Sequence, residues 1–179
     1  MPTRIRRKDT GMPFPSRLET ARLRLEQPRY DDLPAYDRVI GDPRIPEHQF
    51  PARFRTPEFN ELLLRKAIDH WDAHAFGPWN VWLGEELIGR AGIINSEFEG
   101  RPCVEAKWFL SPDHWGRGYA TEAARAAIDA GFELGLEEIL AWTMTTNLPS
   151  QAVMTRLGFE PIGEIDRAGL PHVAFALKR

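Results

Sequence analysis

A β-rich run from Cys103 to Leu110 leads through Ser111-Pro112-Asp113-His114-Trp115-Gly116-Arg117-Gly118 into an alanine-rich helix from about Tyr119 to Leu134. Ala120, Ala123, Ala124, Ala127, Ile128, Gly131 and Phe132 fall on one face of that helix, so a stripe of small side chains can lie close against a sheet. A strand that feeds a helix in this way confines the chain to mixed α/β layers. The turn between them suits an anion: glycines let backbone approach closely, several N–H groups converge, and a helix start carries about half a positive charge. Arg117 offers a guanidinium for a phosphate oxygen. A plain strand–helix connection uses the same turn. It is neither the longer Gly-x-Gly-x-x-Gly fingerprint nor a phosphate loop ending in Gly-Lys-Ser/Thr.

The rest of the chain fits around this segment. Residues from Ala21 alternate as one half-buried strand, with Leu23 and Leu25 on one face and Arg22, Arg24 and Glu26 on the other. Asp31-Asp32 predicts an N-cap for a helix through Leu33, Tyr36, Val39 and Ile40, and Thr56-Pro57-Glu58 predicts a second helix running to about Ala75. Strands are predicted at 79–83, 87–94, 103–110, 139–143, 159–165 and 173–177, with a short helix over 148–157 closed by Gly158. The order is β-α-α-β-β-β-α-β-α-β-β, a single mixed α/β domain over 17–179 behind a loose basic arm at 1–16. Arg4, Arg6, Arg7 and Lys8 in that arm read as a solvated tail.

With 179 residues, 42% hydrophobic and 27% charged, the composition is that of one globular domain. A net charge of −3 argues against a nucleic-acid-coating protein. The chain lacks the roughly 18–20 consecutive apolar residues of a membrane span and any apolar run behind its basic start, so a cytoplasmic protein is expected. Cys103 is the single cysteine, which excludes an internal disulfide and a multi-cysteine zinc site. His70 and His74 stand four apart on a predicted helix without the glutamate of a zinc-protease motif or a third ligand, so no metal is expected.

Trp115-Gly116-Arg117-Gly118-Tyr119-Ala120-Thr121-Glu122-Ala123, with Asn147-Leu148-Pro149-Ser150 and Leu157-Gly158-Phe159 downstream, closely resembles the GNAT superfamily of acetyl-CoA-dependent N-acetyltransferases. Leu18-Glu19-Thr20-Ala21-Arg22-Leu23-Arg24-Leu25 and Asp42-Pro43 resemble its RimJ/RimL-like branch, the ribosomal-protein N-terminal acetyltransferases and their relatives. The resemblance runs from about Leu18 to Leu177. It implies a mixed, mostly antiparallel seven-stranded sheet with a central splay, flanked by about four helices. It also implies acetyl-CoA as co-substrate and an amine-bearing acceptor, a protein N-terminus or a small molecule, with the chain a monomer or homodimer.

Carried over by position, the pyrophosphate loop falls on Trp115, Gly116, Arg117, Gly118, Tyr119 and Ala120, with Thr121 beside it. Trp115 stands where the family often has Gln or Arg. Trp108, Phe109 and Leu110 would pair their backbone with the pantetheine amides, strand 139–143 would splay away, and Asn147 would face the cofactor arm as it caps its helix. The proton donor that many members carry as a tyrosine seven residues after the asparagine is here Met154, which has no proton to give. Ser150 is the remaining donor in reach, best suited to hydrogen-bond the leaving thiolate; its bland reading is a first-turn helix residue. Glu105, on the strand flanking the site, is the first choice of base, acting through water, ahead of Asp113 and His114. Glu122 is expected to point away from the phosphates and favour the helix start. The acceptor is expected between loop 45–55 and turn 166–171, walled by Trp79, Trp82, Phe50 and Phe54, with Glu47, Glu97 and Asp166 attracting a cationic amine.

Overall fold

The computed structural model describes residues 14–47, 49 and 51–179. Arg4, Arg6, Arg7, Lys8 and Phe50 lie outside the described residues. Strands β1 (Arg17–Glu19) and β2 (Arg24–Glu26) precede helices α1 (Leu33–Ile40) and α2 (Pro57–His74). β3 (Pro78–Leu83), β4 (Glu86–Phe98) and β5 (Arg101–Leu110) form a meander that leads into α3 (Tyr119–Glu133). β6 (Glu138–Met144), α4 (Leu148–Leu157), β7 (Glu160–Arg167) and β8 (Leu170–Lys178) complete the chain. The strands form one sheet ordered β1-β2-β3-β4-β5-β6-β8-β7, antiparallel everywhere except between β5 and β6.

The sheet has eight strands among the described residues, not the seven expected. The extra one is β1, which pairs with β2 across a turn where Thr20 N–H donates to the Leu23 carbonyl. Its three residues, Arg-Leu-Glu, carry one apolar side chain and so no alternation to read. Residues 14–16, assigned by sequence to the loose arm, are docked instead. Phe14 is buried and stacks on Trp79 at 4.7 Å between centroids, and the Trp79 indole donates to the Pro15 carbonyl (3.0 Å).

α3 lies on the sheet through Ala123, Ala124 and Ala127, all essentially buried. A Cβ on Gly131 of this helix would come within 2.8 Å of the Ile93 side chain, so a larger residue there would make Ile93 shift. A second, smaller apolar cluster packs α1 and α2 over Leu87 and Phe109. Asp32 precedes α1 as expected, but its carboxylate does not cap it. It accepts from Arg29 N–H (2.8 Å) and from Asn80 Nδ2 (2.8 Å), while Asn80 Oδ1 accepts from the buried Tyr36 hydroxyl (2.6 Å). That chain of bonds satisfies a buried amide that would otherwise oppose folding. No helix among the described residues is long and apolar enough to cross a membrane.

Candidate active site

β5 and β6 are paired at one position only, Glu105 with Leu140. Beyond it β5 stays on β4 as far as Leu110, while β6 stays on β8 as far as Met144. The two strands part, and a wedge opens between them. Ser111 N–H donates to the Ile88 carbonyl (2.7 Å), which sets the parity of the antiparallel ladder: residues 105, 107 and 109 bond to β4, and 106, 108 and 110 turn their backbone toward the wedge. The Leu110 carbonyl is taken by the Trp115 indole N–H (2.8 Å). Trp108 N–H is left facing the gap.

Past β5 the chain turns through Gly116 (φ 72°) and Gly118 (φ 80°), left-handed conformations that glycine adopts without strain. Gly118 precedes α3 and provides no side-chain cap, so the first N–H groups of the helix lack one. A cavity of about 800 Å³ runs along this turn between the wedge and α4. Trp108, Phe109, Leu110, Trp115, Gly116, Gly118, Tyr119, Ala120, Thr121, Asn147 and Ser150, all carried over as cofactor-binding positions, line it. Arg117 does not; its side chain is exposed. The cations on the wall are Arg125 and Arg156, both missed at the sequence level, and Arg125 is held by the Arg156 carbonyl (3.1 Å).

Arg22 was also missed as a site residue. It grips both sides of the turn, donating through Nε to Glu122 Oε2 (2.7 Å) and through Nη1 to the Arg117 carbonyl (2.9 Å). Its guanidinium lies 4.4 Å from the Tyr119 ring centroid. Thr20 Oγ1 and Arg22 N–H donate to Glu122 Oε1 at 2.6 and 2.9 Å, so the Glu122 carboxylate is bound to the turn between β1 and β2, although the residue also lines the cavity. Burial pushes the Glu122 carboxyl up, but the bonds from Thr20 and Arg22 outweigh it and hold the group below the usual range.

On α4, Asn147 Oδ1 accepts from Ser150 N–H (3.4 Å), the expected cap. Asn147 Nδ2 donates to Thr143 Oγ1 (2.8 Å) and to Ser150 Oγ (3.1 Å). Because Ser150 Oγ accepts there, its own proton is free to be donated elsewhere. Met154 is buried one turn further on.

A second cavity of about 350 Å³ adjoins the first, and Gln49, Trp108, Phe109, Asn147 and Ser150 line both. Its own walls include Glu105, Lys107, Arg90, Trp142, Met154 and His172. Glu105 is 2% exposed, with Lys107 Nζ 3.3 Å from its Oε1. Burial raises the Glu105 carboxyl above the usual range, partly offset by Lys107 and a hydrogen bond from Ser96.

Gln49 of loop 45–55 lines this cavity, but none of the described side chains named for the acceptor walls and charges does. Trp79 is in the core, Trp82 lies under Arg24, and Phe54 stacks on Phe59. Glu47 accepts from Ala52 N–H (3.0 Å), Asp166 accepts from Gly169 N–H (2.8 Å), and Glu97 is exposed along β4. Asp113 is bound to Arg44 (2.7 Å), and His114 Nδ1 is 3.0 Å from Ser111 Oγ, so both second-choice bases have local partners. His70 is fixed in one tautomer, its Nδ1–H donating to the Phe76 carbonyl (2.8 Å) and its Nε2 accepting from Asn95 N–H (2.9 Å). No group of three metal-ligating side chains forms among the described residues. Cys103 is half-buried on β5, its thiol pushed up to about 11 chiefly by burial.

A sheet split beside a strand–glycine turn–helix, with a larger and a smaller cavity meeting at the split, leaves room for two bound groups side by side. The chain belongs to the GNAT acetyltransferase family: residues 22–160 match the Acetyltransferase (GNAT) domain. It is 38% identical over 157 residues to p20 of Bacillus licheniformis, an uncharacterized N-acetyltransferase, spanning 82% of this chain and 83% of that one. It spans between 34% and 45% of the length of three further curated relatives. An acetyltransferase of Agrobacterium tumefaciens superposes with a TM-score of 0.77 at 29% identity, covering 91% of this chain and 94% of that one. RimL, a ribosomal alpha-N-protein acetyltransferase solved with coenzyme A, has the same fold, with a TM-score of 0.75 at 16% identity over 92% of this chain and 97% of that one.

Proposed function

We propose that the chain moves the acetyl group of acetyl-CoA directly onto a primary amine, the α-amine of a protein N-terminus, with the larger cavity taking the co-substrate and the smaller the acceptor. The observation that carries this reading is the meeting of the two cavities at Trp108 and Ser150. The left-handed glycine turn, the uncapped start of α3 and the cations Arg125 and Arg156 suit a pyrophosphate. Glu105 takes the proton of the attacking amine through water, and its raised affinity for protons suits that task. Trp108 N–H donates to the oxyanion as the carbonyl becomes tetrahedral. Ser150 O–H donates to the sulfur as the C–S bond breaks and the thiolate leaves.

The acceptor decides how hard Glu105 must work. An α-amine has a pKa of about 7.7–8.0 and is half neutral near pH 8, whereas neutralising a lysine at about 10.4 costs about 3 kcal/mol there. One carboxylate acting through water suffices for the first. The fold of RimL is consistent with such an acceptor. A small-molecule amine is the second reading, favoured by 50% identity over 90 residues, 38% of the relative's length, to an FsC-acetyl coenzyme A-N(2)-transacetylase of Aspergillus fumigatus.

Free-thiol release from acetyl-CoA, measured against short peptides and against small amines, tests both. Release with peptides that stops when the α-amine is blocked supports the first reading, and release with small amines alone supports the second. Acetyl-CoA binding with no acetylated product from any amine would leave a non-catalytic acyl-CoA-binding module.

Arg22→Ala is expected to raise KM for acetyl-CoA about fivefold with kcat little changed, since a half-exposed clamp of this kind contributes about 1 kcal/mol. An unaltered KM removes Arg22 from the support of the loop. The same contact adds stability above the ordinary carboxylate pKa of about 4.3, lost as pH falls through the lower value in the fold. Acid melts of parent and variant should therefore converge once the pH falls below the lowered Glu122 value.

A further inference from the structure

We infer that the acceptor carries an anionic group close to its reacting amine, and that Arg90 is the residue that selects it. The inference rests on the smaller cavity being the acceptor site. Arg17, Arg22, Arg24, Arg44, Arg55 and Arg65 each lie within ion-pair distance of a carboxylate. Arg90 has no such partner among the described residues, although it is partly buried and lines the cavity. Its Nη1 donates to the Leu63 carbonyl (3.0 Å), and its guanidinium stands 5.3 Å from the Phe109 ring centroid and 6.0 Å from that of Tyr36. These contacts orient the guanidinium and leave its charge unbalanced.

The other fixed charges on the wall are Glu105 and Lys107, which face each other at 3.3 Å and cancel. Arg90 therefore gives the cavity an excess positive charge. A free ammonium is poorly served there, while an amine that brings its own anion is matched. The position is also right. Arg90 pairs with Phe109 in the β4–β5 ladder, and Phe109 lines both cavities beside Trp108. An anion on the guanidinium fork holds a nitrogen a few bonds away near the Trp108 N–H, where the acetyl carbonyl would be met. A guanidinium held by aromatic faces is a planar two-pronged donor that fits a carboxylate.

Two sources supply this chemistry, an acidic side chain next to a peptide's N-terminus and the carboxylate of a free amino acid. The test measures kcat/KM by thiol release with the full chain. Ser-Glu and Ser-Gln peptides with amidated C-termini form one arm, and amino acids against their amides form the other. The anionic partner of a pair is expected to be favoured about tenfold or more, and the arm in which this occurs names the source. Arg90→Gln should bring the ratio close to one, and Arg90→Lys should keep part of it. Should Arg90→Gln fail to fold, the parent's ratio still decides, since it must shrink as salt rises from 0.05 to 0.5 M. Equal kcat/KM for charged and neutral acceptors in both arms overturns the inference while leaving acetyl transfer intact. Release with no acceptor at all would instead strike at the acetyl-transfer reading.

Discussion

Glu105→Gln is expected to lower kcat about a hundredfold at pH 7, the lower end of what a positioned general base contributes, while making the fold more stable at pH 8. Both effects come from one burial. The carboxyl is 2% exposed, and burial disfavours its charged form more than Lys107 and Ser96 favour it. A carboxylate so placed holds a proton more readily than one in water. For stability, a carboxyl whose pKa is raised in the fold favours folding at low pH and loses that contribution as pH rises from the ordinary value of about 4.3 through the raised one. The parent therefore carries an ionised buried group at pH 8 that the amide variant lacks. Thermal melts should show the variant above the parent at pH 8 and the difference shrinking toward pH 4. The activity deficit should narrow at high pH, where more amine is already neutral. A variant with parental kcat at pH 7 would release Glu105 from the role of base.

Ser150→Ala is expected to lower kcat by about a hundredfold, the order seen when one preorganised donor to a developing charge is removed, with KM for acetyl-CoA nearly unchanged. Asn147 should hold its place in the variant, because Nδ2 still donates to Thr143 Oγ1 and only the bond to Ser150 Oγ is lost. The loss would thus fall on the departing thiolate and not on the wall of the cavity. Acyl donors with better leaving thiols should recover part of the rate. Full activity in the variant would mean that water alone serves the sulfur.

Much of this was legible before any coordinates, for identifiable reasons. The strand, glycine turn and alanine helix at 103–134 are local signals that need no partner to be read, and all but one of the cofactor-binding residues carried over onto them line one cavity. Asn147 and Ser150 were legible for the same reason. Arg117 was misjudged because a guanidinium next to a phosphate-type loop looks committed to it, whereas Arg22, nearly a hundred residues earlier, takes the carbonyl of Arg117 and leaves that side chain outside. The side chains expected to wall the acceptor do not line the smaller cavity, although Gln49 of loop 45–55 does. Trp79 and Phe54 are large and aromatic, which says that they will be covered but not by what. The pairing of β6 with β8 decides that Trp142 and His172 share the wall, and this is set by strand register.

The single bridge at Glu105 and Leu140 has a mechanical corollary. β1 to β5 form one half of the sheet and β6, β8 and β7 the other, and one residue pair is all the ladder that ties them. α3 lies mainly against β4 and β5 and touches both halves at Gly131, which faces Ile93 of β4 and Ile139 of β6. A partner lodged in the wedge with amides of its own would act as a missing rung between the halves. Such a partner stabilises the fold in proportion to the logarithm of its concentration. The hydrogen-exchange protection of Trp108 and its neighbours should then rise and fall with the concentration of that partner.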